Sequence, residues 1–255
     1  MRLHGREIII AKSPIYDNPD FFAPNRHRAR SDGGWKAAGE WQTLRSVLPD
    51  FTGKTVLDLG CGYGWHCRYA AEHGAKQVLG IDASEKMIDR AKDMTKDDRI
   101  TYQVMDMTAI DQLPDHYDVI LSSLAIHYIQ DYTGLVAKIW DRLATPGTFV
   151  MSVEHPIFTA QGKEDWVTDA QGQRLYWPVD RYFDESSRET DFLGHTVKKY
   201  HRTLTTYLET LLHQGFRLTN VVEPQPPEAL RHNEDMKDEW RRPMMLIISA
   251  SKDAQ

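Results

Sequence analysis

The chain alternates short apolar runs rich in β-branched residues with segments whose apolar positions recur every three or four residues. The runs predict buried strands, and the periodic segments predict amphipathic helices. The predicted strands are Thr55–Leu59, Gln77–Ile81, Ile100–Met105, Tyr117–Leu121, Gly147–Val153, Phe216–Glu223 and Met244–Ala250. The predicted helices are Trp35–Leu48, Trp65–His73, Ser84–Met94, Gly134–Leu143, Leu204–Gln214 and Pro227–Arg241. Such alternation indicates a parallel sheet covered on both faces, with ligands bound beyond the carboxyl ends of its strands.

One stretch, KTVLDLGCGYGWHC from Lys54 to Cys67, predicts a strand, a tight turn and a helix in immediate succession. Its turn contains Gly60, Gly62 and Gly64 at alternate positions. Glycine is needed where a backbone turns with positive φ, or where it approaches a ligand more closely than a Cβ atom would allow. The helix start that follows offers unpaired N–H groups. The stretch is therefore typical of a nucleotide-binding loop.

Two carboxylates limit the class of ligand that this loop can bind. Asp58 lies two residues before the first glycine, where it would repel a pyrophosphate but suits an ammonium group. Asp82 ends the next strand, near the place of the acid that holds a ribose roughly 20 residues past a glycine loop; its alternative role is a helix cap. A dinucleotide loop also requires a glycine where this chain has Trp65. The residues favour a cationic amino acid joined to a ribose.

From Lys54 to about Glu154 the chain resembles the class I S-adenosylmethionine-dependent methyltransferases. The glycine loop resembles their D-x-G-x-G-x-G motif, YQVMDM resembles the segment that receives the adenine, and YDVILSSLAIHYI resembles the fourth-strand motif beneath the methyl group. The resemblance implies S-adenosylmethionine as cofactor. It implies that Asp82 holds the ribose, and that the adenine is bordered by side chains from the second and third strand ends. The implied cofactor-binding residues are Asp58, Gly60, Cys61, Gly62, Asp82, Ala83, Met87, Asp106, Met107 and Ser123.

The expected fold is α/β, a doubly wound, seven-stranded, mostly parallel, Rossmann-like sheet with an antiparallel terminal strand and a lid or insertion. We expect an N-terminal lid and leading helix over residues 1–48 and a cofactor-binding core over 49–155. A substrate-side insertion is expected over 156–202 and the C-terminal part of the core over 203–255. The N-terminal segment is either a lid over the cofactor or a surface arm. The aromatic insertion either lines an acceptor pocket or is a packing hairpin.

Methyl transfer needs a base only when the acceptor is still protonated. The candidates near the ends of strands four and five are His127 and His155. For each of them the alternative is a purely structural role. In phosphobase methyltransferases, which this stretch distantly resembles, a histidine pairs with a lid tyrosine, which would be Tyr16 here. The residues expected on the acceptor side are Glu154, His201 and Arg202. The alternative for Arg202 is a solvated surface charge.

Composition limits the partners of the chain. The 255 residues carry a formal net charge of −6, which argues against a nucleic-acid partner. The apolar run Ile8–Ala11 is too short to span a bilayer and is not flanked by a cleavage site, which favours a soluble, cytoplasmic protein with no membrane partner. The only two cysteines, Cys61 and Cys67, lack the spacing of a zinc site, so we expect no metal.

The sequence therefore predicts methyl transfer from S-adenosylmethionine to a small organic acceptor, at an oxygen, nitrogen or carbon atom. Two alternatives remain open: a methyltransferase of tRNA or protein, and a protein that binds S-adenosylmethionine without catalysis. The first alternative calls for a basic groove, and the only basic run is formed by Arg26, Arg28 and Arg30.

Overall fold

The computed structural model describes Asp17 and residues 40–113, 116–192, 195–226, 228, 232 and 237–254. Seven strands form the main sheet: β1 (Thr55–Leu59), β2 (Gln77–Asp82), β3 (Ile100–Val104), β4 (Tyr117–Ser123), β5 (Leu143–Glu154), β10 (Arg217–Val222) and β11 (Met245–Lys252). Their spatial order is β10–β11–β5–β4–β1–β2–β3, and β11 alone runs antiparallel to its neighbours. The predicted doubly wound, seven-stranded α/β fold with an antiparallel terminal strand is confirmed.

Helices cover both faces of the sheet. They are α1 (Trp41–Val47), α2 (Trp65–Glu72), α3 (Glu85–Asp93), α4 (Tyr132–Arg142), the four-residue α5 (Pro156–Thr159) and α6 (Leu204–Gln214). The core on one face includes side chains from α4 and α6, and the core on the other includes side chains from α1 and α2. The central strands β1 and β4 are buried along most of their length, as parallel strands in a doubly covered sheet must be.

Local sequence explains where most helices begin and end. Ser84 caps α3, because its hydroxyl accepts a hydrogen bond from the N–H of Met87 at 3.2 Å. Gly215, at φ 107°, ends α6 in the left-handed conformation. Of the described helices, α4 and α6 are the longest, with 11 residues each. In the described part of the chain no helix is long and apolar enough to cross a bilayer.

Several predicted boundaries differ from the observed ones, and two of the differences have a clear local cause. Helix α4 begins at Tyr132 instead of Gly134, because the Asp131 carboxylate caps it by accepting the N–H of Gly134 at 2.8 Å. Strand β5 begins at Leu143, ahead of the expected Gly147, because Leu143 pairs with Tyr117 and an irregularity in the register absorbs the turn residues. Of the predicted helix over 227–241, the structure describes a 3-10 helix at Lys237–Arg241 and single residues before it.

The insertion after β5 contains more regular structure than its irregular sequence pattern indicates. It contains α5 and two antiparallel hairpins, β6 (Val167–Thr168) with β7 (Arg174–Tyr176), and β8 (Ser187–Phe192) with β9 (His195–Tyr200). Strand β9 packs against the 3-10 helix Ile126–Tyr128, which follows β4. The insertion therefore lies at the carboxyl edge of the main sheet.

We expect Gly60→Ala to destabilise the fold beyond the ordinary cost of a left-handed residue. Gly60 has φ 70°, and a Cβ atom there would lie 2.5 Å from the Cβ of Ala125. A left-handed L-residue costs about 1–2 kcal/mol, and overpacking adds about 1–3 kcal/mol. Urea unfolding without cofactor measures the loss in free energy.

Gly53→Ala is the matched control, because Gly53 has φ 72° and a Cβ atom there would meet nothing within 4 Å. It should lose only the conformational part, about 1–2 kcal/mol. Equal losses in the two variants would show that the contact with Ala125 is not tight.

Candidate active site

The loop after β1 brings three strand ends together. Gly60, Gly62 and Gly64 have φ values of 70°, 52° and 72°, so all three use the left-handed region that favours glycine. The N–H groups of Gly60 and Cys61 both donate to the carbonyl of Ile81 at 2.9 Å, which fastens the loop to the end of β2. Ala125, beyond β4, touches the loop where Gly60 has no side chain. The result is a cradle made of backbone.

Asp82 links this loop to helix α3. Its Oδ2 accepts the N–H of Gly62 at 3.0 Å, and its Oδ1 accepts the N–H of Ser84 at 2.9 Å. Burial raises the pKa of Asp82, and these two hydrogen bonds oppose that effect. A carboxylate has about four acceptor positions, so two remain for a pair of hydroxyl groups. Asp17, the described residue of the N-terminal segment, lies here too, because its carboxylate accepts a hydrogen bond from the Ser84 hydroxyl at 2.6 Å.

Asp58 is a buried carboxylate with an unused oxygen. Its Oδ2 accepts the thiol of Cys67 at 3.3 Å, while Oδ1 is buried and has no hydrogen-bond partner among the described residues. Burial raises the pKa of Asp58 to about 7, the Cys67 thiol lowers it, and the nearby Asp82 charge raises it. A buried acceptor of this kind is costly unless a donor or a cation reaches it. The geometry fits an ammonium group.

The residues predicted around the adenine lie at the ends of β2 and β3. Met107 is buried, and its Cε would lie 3.2 Å from a Cβ atom on Gly60, so it borders the loop. Met87 is buried on α3, while Ala83 is half-buried at the end of β2. Asp106 is exposed and caps the 3-10 helix Met107–Gln112, where its Oδ1 accepts the N–H of Thr108 at 2.8 Å. Their cofactor contacts stay predictions.

The end of β4 meets the end of β5 through two hydroxyl groups. Ser123 Oγ lies 3.1 Å from Ser152 Oγ, and the N–H of Leu124 donates to the Ser152 carbonyl at 2.8 Å. Leu124 has φ 52°, a strained conformation for leucine that tends to occur at functional sites. His127 follows in the 3-10 helix, buried, with its ring centroid 4.4 Å from that of Tyr128. Tyr16, its predicted partner, lies outside the described residues.

The contacts of His155 and His201 favour structural roles. His155 caps α5 by accepting the N–H of Ile157 on Nδ1 at 3.1 Å, and its Nε2 lies 2.8 Å from a carboxylate oxygen of Glu223. His201 Nδ1 lies 2.7 Å from the hydroxyl of Thr159, and its Nε2 donates to the carbonyl of Tyr182 at 2.9 Å. Burial lowers the pKa of both imidazoles. A catalytic role for His155 and a substrate-binding role for His201 stay predictions.

Arg202 is buried instead of lying on the surface as a solvated charge. Its guanidinium donates to the carbonyls of Tyr200, Ile129 and Gln130, and it lies 5.3 Å from the ring centroid of Tyr132. It therefore ties β9 to the segment between β4 and α4. Arg202 lies near the carboxyl edge, and its contact with an acceptor stays a prediction.

Glu154 lies at the end of β5 and forms an ion pair that its sequence position did not reveal. Lys199 of β9 donates to Glu154 Oε1 at 2.7 Å, and to the two oxygens of Glu164 at 3.1 and 2.9 Å. Lys199 and Glu164 belong to no recognisable sequence motif. They reach Glu154 only because the insertion folds back over the sheet. In the described residues no group of three or more histidine, cysteine, aspartate and glutamate side chains could hold a metal ion.

Comparison with known proteins supports the cofactor assignment. Residues 56–147 match the family described as a methyltransferase domain. A crystal structure described as that of an S-adenosylmethionine-dependent methyltransferase from Listeria monocytogenes is 55% identical, covers 87% of this chain and all of that one, and has a TM-score of 0.82. A second, from Mesorhizobium loti, is 43% identical, covers 86% of this chain and all of that one, and has a TM-score of 0.78.

Two further relatives are more distant. An uncharacterized protein of Haemophilus influenzae is 34% identical over 248 residues, which are 94% of this chain and 98% of that protein. A tRNA U34 carboxymethyltransferase of Shewanella amazonensis is 26% identical over 160 residues, which are 61% of this chain but only 44% of that enzyme. The high identity of the two crystal structures over their full lengths agrees with a loop built for an ammonium group and a ribose. The chain belongs to the class I S-adenosylmethionine-dependent methyltransferases, and S-adenosylmethionine is its cofactor.

Proposed function

We propose that this methyltransferase acts on a small organic acceptor held at the carboxyl ends of β4 and β5, beneath the insertion of residues 156–202. One observation carries the proposal: Lys199 of the insertion pairs with Glu154 at the end of β5, while β9 packs against the turn that holds His127. The insertion thus covers the edge where ligands of doubly wound sheets bind. A covered edge suits an acceptor small enough to be enclosed.

The chain's own residues would bind and orient the reactants. S-adenosylmethionine supplies an activated methyl group whose leaving group is a neutral thioether. We propose that Asp58 receives the ammonium group, that Asp82 receives the ribose hydroxyls, and that Met107 borders the adenine. Holding the reacting atoms in line can contribute about 7–11 kcal/mol to catalysis. His127, buried beside the end of β4, is proposed to help position the acceptor.

The distant tRNA-modifying relative supports a second candidate, in which the acceptor is an RNA base. The likeness covers less than half of that enzyme, and the net charge of −6 provides no general attraction for phosphates. The small-molecule proposal therefore has the better physical support, and one experiment separates the two candidates.

Incubation with methyl-labelled S-adenosylmethionine and a cell extract, divided into small-metabolite, RNA and protein fractions, tests the proposed acceptor. We expect the label in the small-metabolite fraction, where mass spectrometry then identifies the product. A boiled-enzyme control removes nonenzymatic methylation. Label confined to RNA would favour the tRNA candidate and overturn the small-molecule proposal.

Asp82→Ala should weaken the binding of S-adenosylhomocysteine by about 10- to 100-fold. The variant loses charge-assisted hydrogen bonds worth about 1.5–3 kcal/mol, and calorimetry measures the change. Asp97→Ala is the control, because Asp97 is a solvent-facing carboxylate whose bonds go to Arg99. Unchanged affinity in Asp82→Ala would remove the ribose assignment.

The affinity for S-adenosylhomocysteine should also depend on pH through Asp58. With its pKa raised to about 7 by burial, Asp58 is protonated below that pH in the free protein. Only the ionised carboxylate attracts an ammonium group, so binding below pH 7 must release a proton. The association constant should therefore fall by up to about tenfold for each pH unit below 7. Calorimetry between about pH 5.5 and 7.5 measures this dependence.

Asp58→Asn is the matched variant, since the amide has nearly the shape of the acid but cannot ionise. It should bind more weakly at pH 7.5 and lose most of the pH dependence. If Asp58→Asn kept the slope of the native chain, the titrating group would lie elsewhere and Asp58 would not receive the ammonium group.

A further inference from the structure

Three charged side chains, one buried and two half-buried, converge at the end of β5. The Nζ atom of Lys199 lies 2.7 Å from an oxygen of Glu154 and 2.9 Å from an oxygen of Glu164. Their side chains are only 3%, 18% and 11% exposed, in that order. Glu164 has φ 55°, so its backbone is held in a conformation that is uncommon for glutamate. We refer to Glu154, Lys199 and Glu164 as the charge triad.

The charge triad contains two acids for one base. With both carboxylates ionised it would hold one uncompensated negative charge in a buried place, which is unfavourable. Glu154 Oε2 is also buried and receives no hydrogen bond from any described donor. A proton on Glu164 resolves both problems, because the neutral acid can donate to Glu154. Burial accordingly raises the pKa of Glu164 to about 8, with the Glu154 charge also raising it and Lys199 lowering it.

The charge triad lies where an acceptor would approach. Side chains two residues apart on a strand point to the same face, so Glu154 lies on the face of Ser152, about 7 Å further out along β5. Ser152 in turn contacts Ser123 at the end of β4. Lys199 comes from β9, the strand that packs against the turn of His127. The triad and the two strand ends thus lie at the same carboxyl edge of the sheet.

Few other charges reach the triad from the packed elements. On α6, burial raises the pKa of the Tyr207 phenol, and the nearby Glu154 charge raises it further. Arg202, from the segment after β9, lies 5.9 Å from the ring centroid of Tyr207 and opposes that effect. From β9 itself, Lys199 has a raised pKa because the attraction of both glutamates outweighs its burial. Lys199 therefore stays charged, and the mobile proton belongs to the two acids.

We propose that the Glu154–Glu164 pair, oriented by Lys199, accepts the proton that the methyl acceptor loses, so that the acceptor is a protic O–H or N–H nucleophile. This inference rests on the proposed function. The acceptor oxygen or nitrogen forms a bond to the methyl carbon as the bond from that carbon to sulfur breaks, and the sulfur keeps the electron pair. The proton passes from the acceptor atom to the carboxylate pair, and from there to solvent.

The first test detects the shared proton without any acceptor. Carboxyl-carbon NMR of the protein labelled with 13C-glutamate and saturated with S-adenosylhomocysteine should show a resonance that titrates near pH 8. Glu164→Gln should remove this titration, because the amide donates to Glu154 as the neutral acid does but cannot release the proton. If no glutamate of the native chain titrates between about pH 6 and 9, the proposal is overturned.

The second test asks whether the proton takes part in transfer. The assay uses methyl-labelled S-adenosylmethionine, with the small-metabolite fraction of an extract as the source of acceptor. Label incorporation by the native chain should increase about tenfold for each unit by which the pH is raised, up to about pH 8. Incorporation by Glu164→Gln should be about 100-fold lower, because a general base contributes a factor of this order to the rate. It should also be independent of pH. Its affinity for S-adenosylhomocysteine should be unchanged.

Glu189→Gln is the control, because Glu189 is exposed on β8 of the same insertion and should keep the native pH profile. If Glu164→Gln incorporated label at the native rate and with the native pH profile, the triad would be a purely structural ion cluster and the proposal would be overturned. Absence of label in the small-metabolite fraction with native protein would instead refute the proposed function, while the NMR titration would still decide whether the proton is shared.

Discussion

The close contact between Gly60 and Ala125 is the constraint on which the site depends. Strand β1 lies between β2 and β4, and the chain must turn sharply after β1 while the segment after β4 crosses nearby. Only a residue without a Cβ atom fits there, since that atom would lie 2.5 Å from the Cβ of Ala125. The same turn directs two N–H groups to the Ile81 carbonyl. One missing methyl group thus brings the ends of three strands together.

The carboxyl edge that results is rich in buried and half-buried carboxylates, and each is stabilised in a different way. Asp58 is bonded to a thiol, Asp82 to two backbone N–H groups, and Glu154 to Lys199. Among the described residues, neither Asp58 nor Asp82 forms an ion pair with a basic side chain. A cationic cofactor, with its ammonium and sulfonium charges, complements such an edge. Because a neutral nucleoside lacks those charges, we expect the edge to favour the cationic ligand.

The sequence determines the local structure of the glycine loop more directly than that of the acceptor side, for a physical reason. The strand, the glycine turn and the helix start follow one another within Lys54–Cys67, so local patterns determine them. Glu154, Glu164 and Lys199 are separated by up to 45 residues and meet only through the fold of the insertion. His201 and Arg202 were predicted near the acceptor from their position in the chain. Their buried hydrogen bonds to the insertion and to the β4–α4 segment could not be read from the sequence.

This division also explains why family likeness identifies the cofactor but not the acceptor. The family match ends at residue 147, before Glu154 and before the whole insertion. The glycine turn cannot vary without disturbing three strand ends, whereas charges on β9 or in the loop after α5 can change without affecting the main sheet. Differences in acceptor chemistry among relatives should therefore lie in the insertion. In this chain the insertion brings a lysine and a second acid to the end of β5, and that arrangement is suited to moving a proton.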